Sequence, residues 1–377
     1  MIIRFFLFGV LLCQLAPIEA RSRKADLGFE IFSDVRLSSP EGQACASCHN
    51  PEHFFVDPDA TEPTSEGVIE GRYGPRNAPT LLYAAKSPRF HFDSSEGLFI
   101  GGEFDDGRAT DLVAQAKGPF LEPLEMNNPS MEAVVEKVRE ASYADLFRSV
   151  YGPRALDDPK AAYDRIADAL SAYESSRELS PFASKYDRYV AGQAEFTDSE
   201  RRGREIYERS DKGNCAACHP SRAGHLGRPG PLFTDDSYDN LGVPRNAQNA
   251  FYDQSRELNP LGWDFRDEGL GRTVRRREEI GKFKVPTLRN IEKTAPYMHN
   301  GYFKTLLGVI DFYSTRDLKP TCPDPLTPEE QALKMGCWPA PETALNVNHS
   351  ELGKLGLSRR EMLDLEAFLK TLTDQRP

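Results

Sequence analysis

The chain has 377 residues, enough for two compact domains, and a formal net charge of −11. That balance argues against nucleic acid and against an anionic membrane surface as partners, while permitting a basic protein partner. Beyond the first twenty residues no stretch is apolar enough to cross a bilayer, so the sequence predicts a soluble mature protein without a membrane span.

The chain opens with Met1-Ile2-Ile3-Arg4, an apolar run from Phe5 to about Leu15, and then Pro17-Ile18-Glu19-Ala20. This reads as a secretory signal peptide, residues 1–20, cleaved after Ala20. Cys13 suggests a lipid attachment site, but Leu12 before it is bulkier than such a site normally allows, so Cys13 falls in the removed segment.

A short helix over Gly28-Phe29-Glu30-Ile31-Phe32 leads into Cys45-Ala46-Ser47-Cys48-His49. A C-x-x-C-H run reads as covalent attachment of a c-type haem: two thiols one turn apart bond the vinyl groups and the adjacent imidazole takes the iron. A zinc or redox pair is the alternative for one such run. The motif returns at Cys215-Ala216-Ala217-Cys218-His219 behind a second helix, Gly203-Arg204-Glu205-Ile206-Tyr207, whose start carries the capping box Thr197 and Glu200. Zinc would need further regularly spaced ligands, and the other five histidines are scattered singly.

Two more elements recur in the same order. Pro79-Thr80-Leu81 matches Pro286-Thr287-Leu288, and Gly107 with Leu112 matches Gly301 with Leu306. The pattern predicts a mainly α fold of two similar haem domains related by internal duplication, residues 21–190 and 191–377, with long loops. Between the motifs, Val134, Val135, Val138 and Leu146 mark one amphipathic helix, and Tyr163, Ile166, Leu170 and Tyr173 mark another. Residues 221–282, rich in Gly, Pro, Asp, Asn and Arg, read as loops over the second haem. Cys322 and Cys337 are predicted to close a disulfide, worth about 3 kcal/mol in the chain-entropy picture. A closing helix runs from Ser358 to Leu372, capped by Ser358 with Glu361.

A haem with one protein ligand can bind peroxide, whereas a haem with two passes electrons, so the opposite face of each haem decides the chemistry. The twelfth residue after Gly107 is Pro119, and the twelfth after Gly301 is Tyr313. Proline has no ligating side chain, so the first haem is expected to be open; tyrosine can ligate ferric iron, so the second is expected to be closed. Around Pro119 lie Gln115, Glu122 and Glu125. A carboxyl group there can move a proton between the two peroxide oxygens and an amide can orient the molecule. A solvated Pro-Glu loop fits the same spacing equally well.

These residues together resemble the bacterial di-haem cytochrome c peroxidases and their MauG-type relatives. The resemblance rests on both haem motifs, Gly74-Pro75-Arg76-Asn77-Ala78-Pro79-Thr80, Asp106-Gly107-Arg108-Ala109, Gln115-Ala116-x-Gly118-Pro119, Glu125-Met126-Asn127, Pro286-Thr287-Leu288-Arg289-Asn290 and Ala295-Pro296-Tyr297-Met298-His299-Asn300-Gly301. It implies a periplasmic enzyme with His49 as proximal ligand of the peroxidatic haem, Gln115, Pro119 and Glu125 as its distal pocket, and Glu125 as acid–base group. His219 would serve the electron-transfer haem. A calcium ion between the haems would take the Asn77 side chain and the Thr294 and Pro296 carbonyls, oxygen ligands that suit it.

Four departures from the resemblance bear on function. Ordinary members place Met where Tyr313 stands, whereas the MauG-type branch has Tyr; a Tyr ligand makes the second haem a poorer acceptor from a small cytochrome and a better stabiliser of oxidised states. Met298 is the rival ligand. No His lies between His53 and His91, so the first haem is expected to be open as isolated, with no reductive activation. The usual inter-haem Trp is Asp105 here, and the surface Trp before the second motif of MauG-type proteins is replaced by Gly213-Asn214; Trp263, Tyr297 or another aromatic is the candidate substitute.

The expected activity is reduction of hydrogen peroxide at the His49 haem, with oxidising equivalents shared with the His219/Tyr313 haem. Electrons would come from a small cytochrome c or cupredoxin, or from a side chain of a protein substrate. A non-catalytic di-haem electron carrier is the competing class, and a homodimer is compatible with these features.

Overall fold

The structure is a computed structural model that describes residues 21–59, 61–222 and 230–375. The expected signal peptide, its cleavage site after Ala20 and Cys13 lie outside the described residues, as does part of the loop segment 221–282. The chain is mainly α-helical, with two small antiparallel pairs, His91–Asp93 with Leu98–Ile100 and Tyr238–Asp239 with Phe283–Lys284. Among the described residues no helix is long and apolar enough to cross a membrane.

Two hydrophobic cores organise the helices. In the first, helix Arg23–Ser33, capped by Ser22, crosses helix Pro159–Glu174, which starts with Asp158 as cap and Pro159 in its first turn. The crossing is close because Gly28 lies on it: a Cβ there would sit 2.0 Å from the Ala169 carbonyl oxygen. In the second core, helix Asp198–Glu208, with the expected Thr197–Glu200 box, crosses helix Arg359–Lys370, boxed by Ser358 and Glu361. Gly203 lies on that crossing, and a Cβ would sit 1.9 Å from the Asp364 carbonyl oxygen. Each half therefore pins the helix that leads into its haem motif against a helix near its own end. Arg202 adds a fork onto the Asp364 carboxylate at 2.7 and 2.8 Å.

The helix expected to carry Val134 through Leu146 is two helices, Met131–Glu140 and Ala144–Tyr151. The chain leaves the first at Ala141, which buries Tyr143 with its hydroxyl donating to Asp34 at 2.7 Å. Leu146 belongs to the second helix. Helix Lys185–Val190, placed in the first domain from sequence, packs with the second core instead: Tyr186 meets Phe233 and Phe368 at ring separations of 5.0 and 6.1 Å. In the other direction, Leu232 enters the first core. Cys322 and Cys337 are joined by a disulfide, beside Trp338, whose ring packs on Phe303 and Phe312.

Buried arginines stitch the halves together. Arg76 forks onto Asp267 at 2.7 and 2.8 Å and reaches Asp106 at 2.9 Å. Arg289 forks onto Asp187 on the second-core helix at 2.8 and 2.9 Å and reaches the first core through its guanidinium, which lies over the Phe182 ring. Asp374, close to the chain end, accepts from Tyr83, Ala183 and Asn290. Such forks hold two faces in one orientation as well as attracting them.

If Gly203 is required by the helix crossing, G203A will lower the stability of the haem-loaded protein by about 1–3 kcal/mol. Chemical denaturation followed by far-UV dichroism measures this, and an unchanged midpoint would show that the crossing yields without cost.

Candidate functional site

The two Cys-x-x-Cys-His motifs sit on short helical turns, Cys45–Cys48 and Cys215–Ala217. Each motif histidine is held by its Nδ1. His49 Nδ1 lies 3.3 Å from the Phe55 carbonyl oxygen, and His219 Nδ1 lies 2.8 Å from that of Phe233. Phe55 and Phe233 both have positive φ, 56° and 55°, which turns these carbonyls toward the rings. The same two carbonyls receive Leu81 N–H at 3.4 Å and Leu288 N–H at 3.3 Å. Thr80 Oγ1 donates to Phe54 O at 2.6 Å, and Thr287 Oγ1 to Leu232 O at 2.5 Å. The recurring Pro-Thr-Leu element thus props the carbonyl that orients each imidazole.

Burial pushes both imidazoles below their ordinary pKa, so each ring is neutral with Nε2 left as the ligand atom. Two thiols a turn apart, a neutral imidazole with one free nitrogen, and apolar walls fit a covalently held haem in each half.

One continuous cavity takes in both motifs. Gln115, Pro119 and Glu125 line the end near His49, and Tyr313 and Met298 the end near His219. The two distal segments start alike. Gly107 and Gly301 take φ of 68° and 62° between the bridges Glu103–Ala109 and Tyr297–Phe303. Four residues on, Asp111 caps through Ala114 N–H and Thr305 through Gly308 N–H. They then diverge. The second runs unbroken as helix Leu306–Thr315, carrying Tyr313 on its cavity side, whereas the first stops at Gln115 and restarts as Gly118–Leu121 with Pro119 in the new turn.

Glu125 is pushed up to about 7 by burial, with Glu122 adding to the shift and Arg108 opposing it. A carboxyl group poised near neutrality suits proton transfer in both directions. Burial also pushes the Tyr313 phenol up. His53 and His91 are exposed and absent from the cavity wall, and His91 Nδ1 is engaged with Arg89 O at 2.8 Å.

Asn77, Thr294 and Pro296 all line the cavity, and Asn77 Nδ2 lies 2.7 Å from the Pro296 carbonyl oxygen. Of the residues expected to hold calcium, Asn77 and Pro296 are in direct contact, with the Asn77 amide turned nitrogen-first toward Pro296; a cation there would take the amide through its oxygen.

Sequence reasoning missed several residues of this wall. His299 stacks on Phe283 at 3.6 Å and 6°, its pKa lowered to about 4 by burial, beside the Arg76–Asp267 pair. Asp105 is half-buried near Arg76, and desolvation raises its pKa. Glu103 pairs with Lys284 at 3.6 Å. Behind the first motif, Glu174 on helix Pro159–Glu174 is buried, and its Oε2 has no hydrogen-bond partner among the described residues. Its pKa rises to about 8 through burial and the Glu103 charge. A single Glu at a helix end carries no local sign of burial; His299 and Arg76 were visible only as letters within longer motifs.

Residues 22–195 match the family described as di-haem cytochrome c peroxidase. The chain is 40% identical over 362 residues to the methylamine utilization protein MauG of Paracoccus denitrificans, covering 93% of this chain and 89% of that one. This chain belongs to the di-haem cytochrome c peroxidase and MauG family. It is also 30% identical over 362 residues to the cytochrome c551 peroxidase of Nitrosomonas europaea, covering 94% and 80% of the two chains. Among solved structures it resembles the diheme peroxidase BthA of Burkholderia thailandensis, with a TM-score of 0.76, 33% identity, and 93% and 86% coverage. Members of the di-haem family are oxidoreductases whose cofactors are two c-type haems, and both attachment motifs of this chain fit them.

Glu174 holds its proton to about pH 8 when folded but only to the ordinary range near 4.5 when unfolded. Between those values the folded chain binds more protons, so stability falls as pH rises through the window, and the loss is complete above about 8. E174Q cannot ionise and should gain thermal stability relative to the parent on going from about pH 5 to about pH 8. An equal difference in midpoint at both pH values would contradict this.

Proposed function

We propose that this chain is a periplasmic di-haem peroxidase that reduces hydrogen peroxide beside His49 and shares the oxidising equivalents with a second haem held by His219 and Tyr313. Cys45 and Cys48, and Cys215 and Cys218, carry the thioether bonds. The haems supply the redox chemistry; the chain's residues decide where peroxide enters and where its protons go. Pro119 offers no ligand atom at the position where the second half presents Tyr313, which leaves room above the first haem. Gln115 orients the peroxide by hydrogen bonding. Glu125 takes the proton from the near oxygen and returns it to the departing one, so that water leaves in place of hydroxide.

The observation that carries this reading is Glu125, half-buried on the cavity wall near Pro119, where desolvation raises its pKa to about 7. A non-catalytic electron carrier has no use for a poised carboxyl group there. Two haem units related by duplication are supported by the paired contacts: a glycine at each helix crossing, a carbonyl on each Nδ1, and a threonine bracing each carbonyl loop. Core packing favours a division near residue 185. Asn77, Thr294 and Pro296 are the proposed calcium ligands.

The electron donor is a small cytochrome or cupredoxin. Peroxide-dependent oxidation of a partner protein is the second reading, favoured by Tyr313 in place of a thioether ligand.

Glu125 must begin as the carboxylate to accept a proton, so kcat/KM for peroxide should rise with pH through about 7. E125Q should lose roughly 10²-fold or more in the peroxide reaction and lose that inflection. Stopped-flow traces of the Soret band across pH check both, and an unchanged rate in E125Q would favour the electron carrier.

A further inference from the structure

The chain has two tryptophans, and they are opposites. Trp338 is 2% exposed and sealed in the second core, with its indole N–H on Thr315. Trp263 is 40% exposed, beside the exposed Leu261. Its ring stacks on buried Tyr252, with centroids 5.1 Å apart and planes 23° from parallel. Tyr252 turns its hydroxyl inward, donating to Glu342 Oε1 at 3.0 Å. Glu342 lines the same cavity as both haem motifs, on a wall shared with Asp267, Arg76 and the stacked Phe283–His299 pair.

Arg245 fixes this assembly from one point. Its guanidinium lies 4.7 Å from the Tyr252 ring centroid, its Nε reaches Glu342 at 3.1 Å, and its two Nη atoms donate to the Trp263 and Phe265 carbonyls. Trp263 Nε1 also donates to Asp253 at 2.9 Å. A surface aromatic that needed only to cover Tyr252 would not require this clamp, nor a phenol bonded to a carboxylate on the cavity wall.

Indole and phenol are among the side chains most readily oxidised by one electron, and a phenol can lose an electron at low cost only if its proton has somewhere to go. Glu342 is placed to take it, and burial makes that carboxylate more basic. Building on the peroxidase reading above, we propose that Trp263 and Tyr252 form the port through which a one-electron redox protein delivers electrons to the haem cavity.

In each transfer one electron leaves Tyr252 toward the oxidised haem pair, and its hydroxyl proton moves to Glu342. Trp263 refills Tyr252, the proton returns from Glu342, and the external donor refills Trp263. The chain's residues end unchanged, the donor is oxidised by one electron, and the oxidising equivalent came from peroxide. The docking partner presents its cofactor edge to the surface formed by Trp263 and Leu261.

The test uses the haem-loaded full chain grown with ring-deuterated tryptophan, treated with one equivalent of hydrogen peroxide without donor, freeze-quenched and examined by EPR. The expected result is an organic radical whose hyperfine structure narrows with the label and whose relaxation is enhanced by a water-soluble paramagnetic agent, as only the exposed indole would be. W263F should remove it and lower turnover with a cytochrome donor at least tenfold. A shift of the haem spectrum with no indole radical, or with one insensitive to the agent, overturns the port and leaves the peroxidase reading standing. No shift of the haem spectrum on peroxide addition overturns both.

Discussion

The hydrogen bond from each motif imidazole to a backbone carbonyl is the contact on which the rest depends. It decides which ring nitrogen is free and which way it points, and therefore where an iron can sit. That carbonyl belongs to a residue with positive φ and receives a leucine amide from a segment distant in sequence, while a threonine hydroxyl of the same segment bonds the carbonyl of the residue before it. Neither half can orient its histidine with local residues alone. The helix crossings at Gly28 and Gly203 matter for the same reason, since they fix the start of each motif against a helix far along the chain.

In the reading proposed above, two sites oriented in the same way differ in chemistry through a small difference in backbone. Both distal segments begin with a positive-φ glycine and a capped helix, and one residue decides how they continue. Proline at 119 falls in a restarted turn, leaves no donor atom and brings Gln115 and Glu125 to the cavity. Tyr313 rides an unbroken helix and lines the same cavity near the second motif. The two ends share one cavity, whose wall also carries Arg76, Asp105, Asp267 and His299, with Asp106 paired to Arg76. A desolvated network of this kind is costly unless its members are matched: Arg76 is matched by its fork on Asp267 and its ion pair to Asp106, while His299 Nε2 has no hydrogen-bond partner among the described residues.

Much of this was legible in the sequence because it is local. The attachment motifs, the capping boxes at Thr197 and Ser358 and the closing helix all depend on residues within a few positions of one another. Contacts between distant segments were less legible. Val134 and Leu146 share a helical period, yet the chain breaks between them because Tyr143 is drawn to Asp34. Helix Lys185–Val190 joins the second core through Tyr186, a partnership no linear pattern announces. The Pro-Thr-Leu repeat was visible, but its purpose, holding the carbonyls that hold the histidines, appears only when the loops are folded. His299, Glu174 and the inward face of Tyr252 were invisible for the same reason: burial is a property of the fold.

The central claim is that one haem is open at Pro119 and the other closed by Tyr313. EPR of the purified diferric protein at neutral pH tests this most directly. The account predicts one high-spin ferric signal and one six-coordinate low-spin signal in equal amounts. Two low-spin signals would mean that the first site is ligated on both faces, and that Pro119 does not leave room for peroxide.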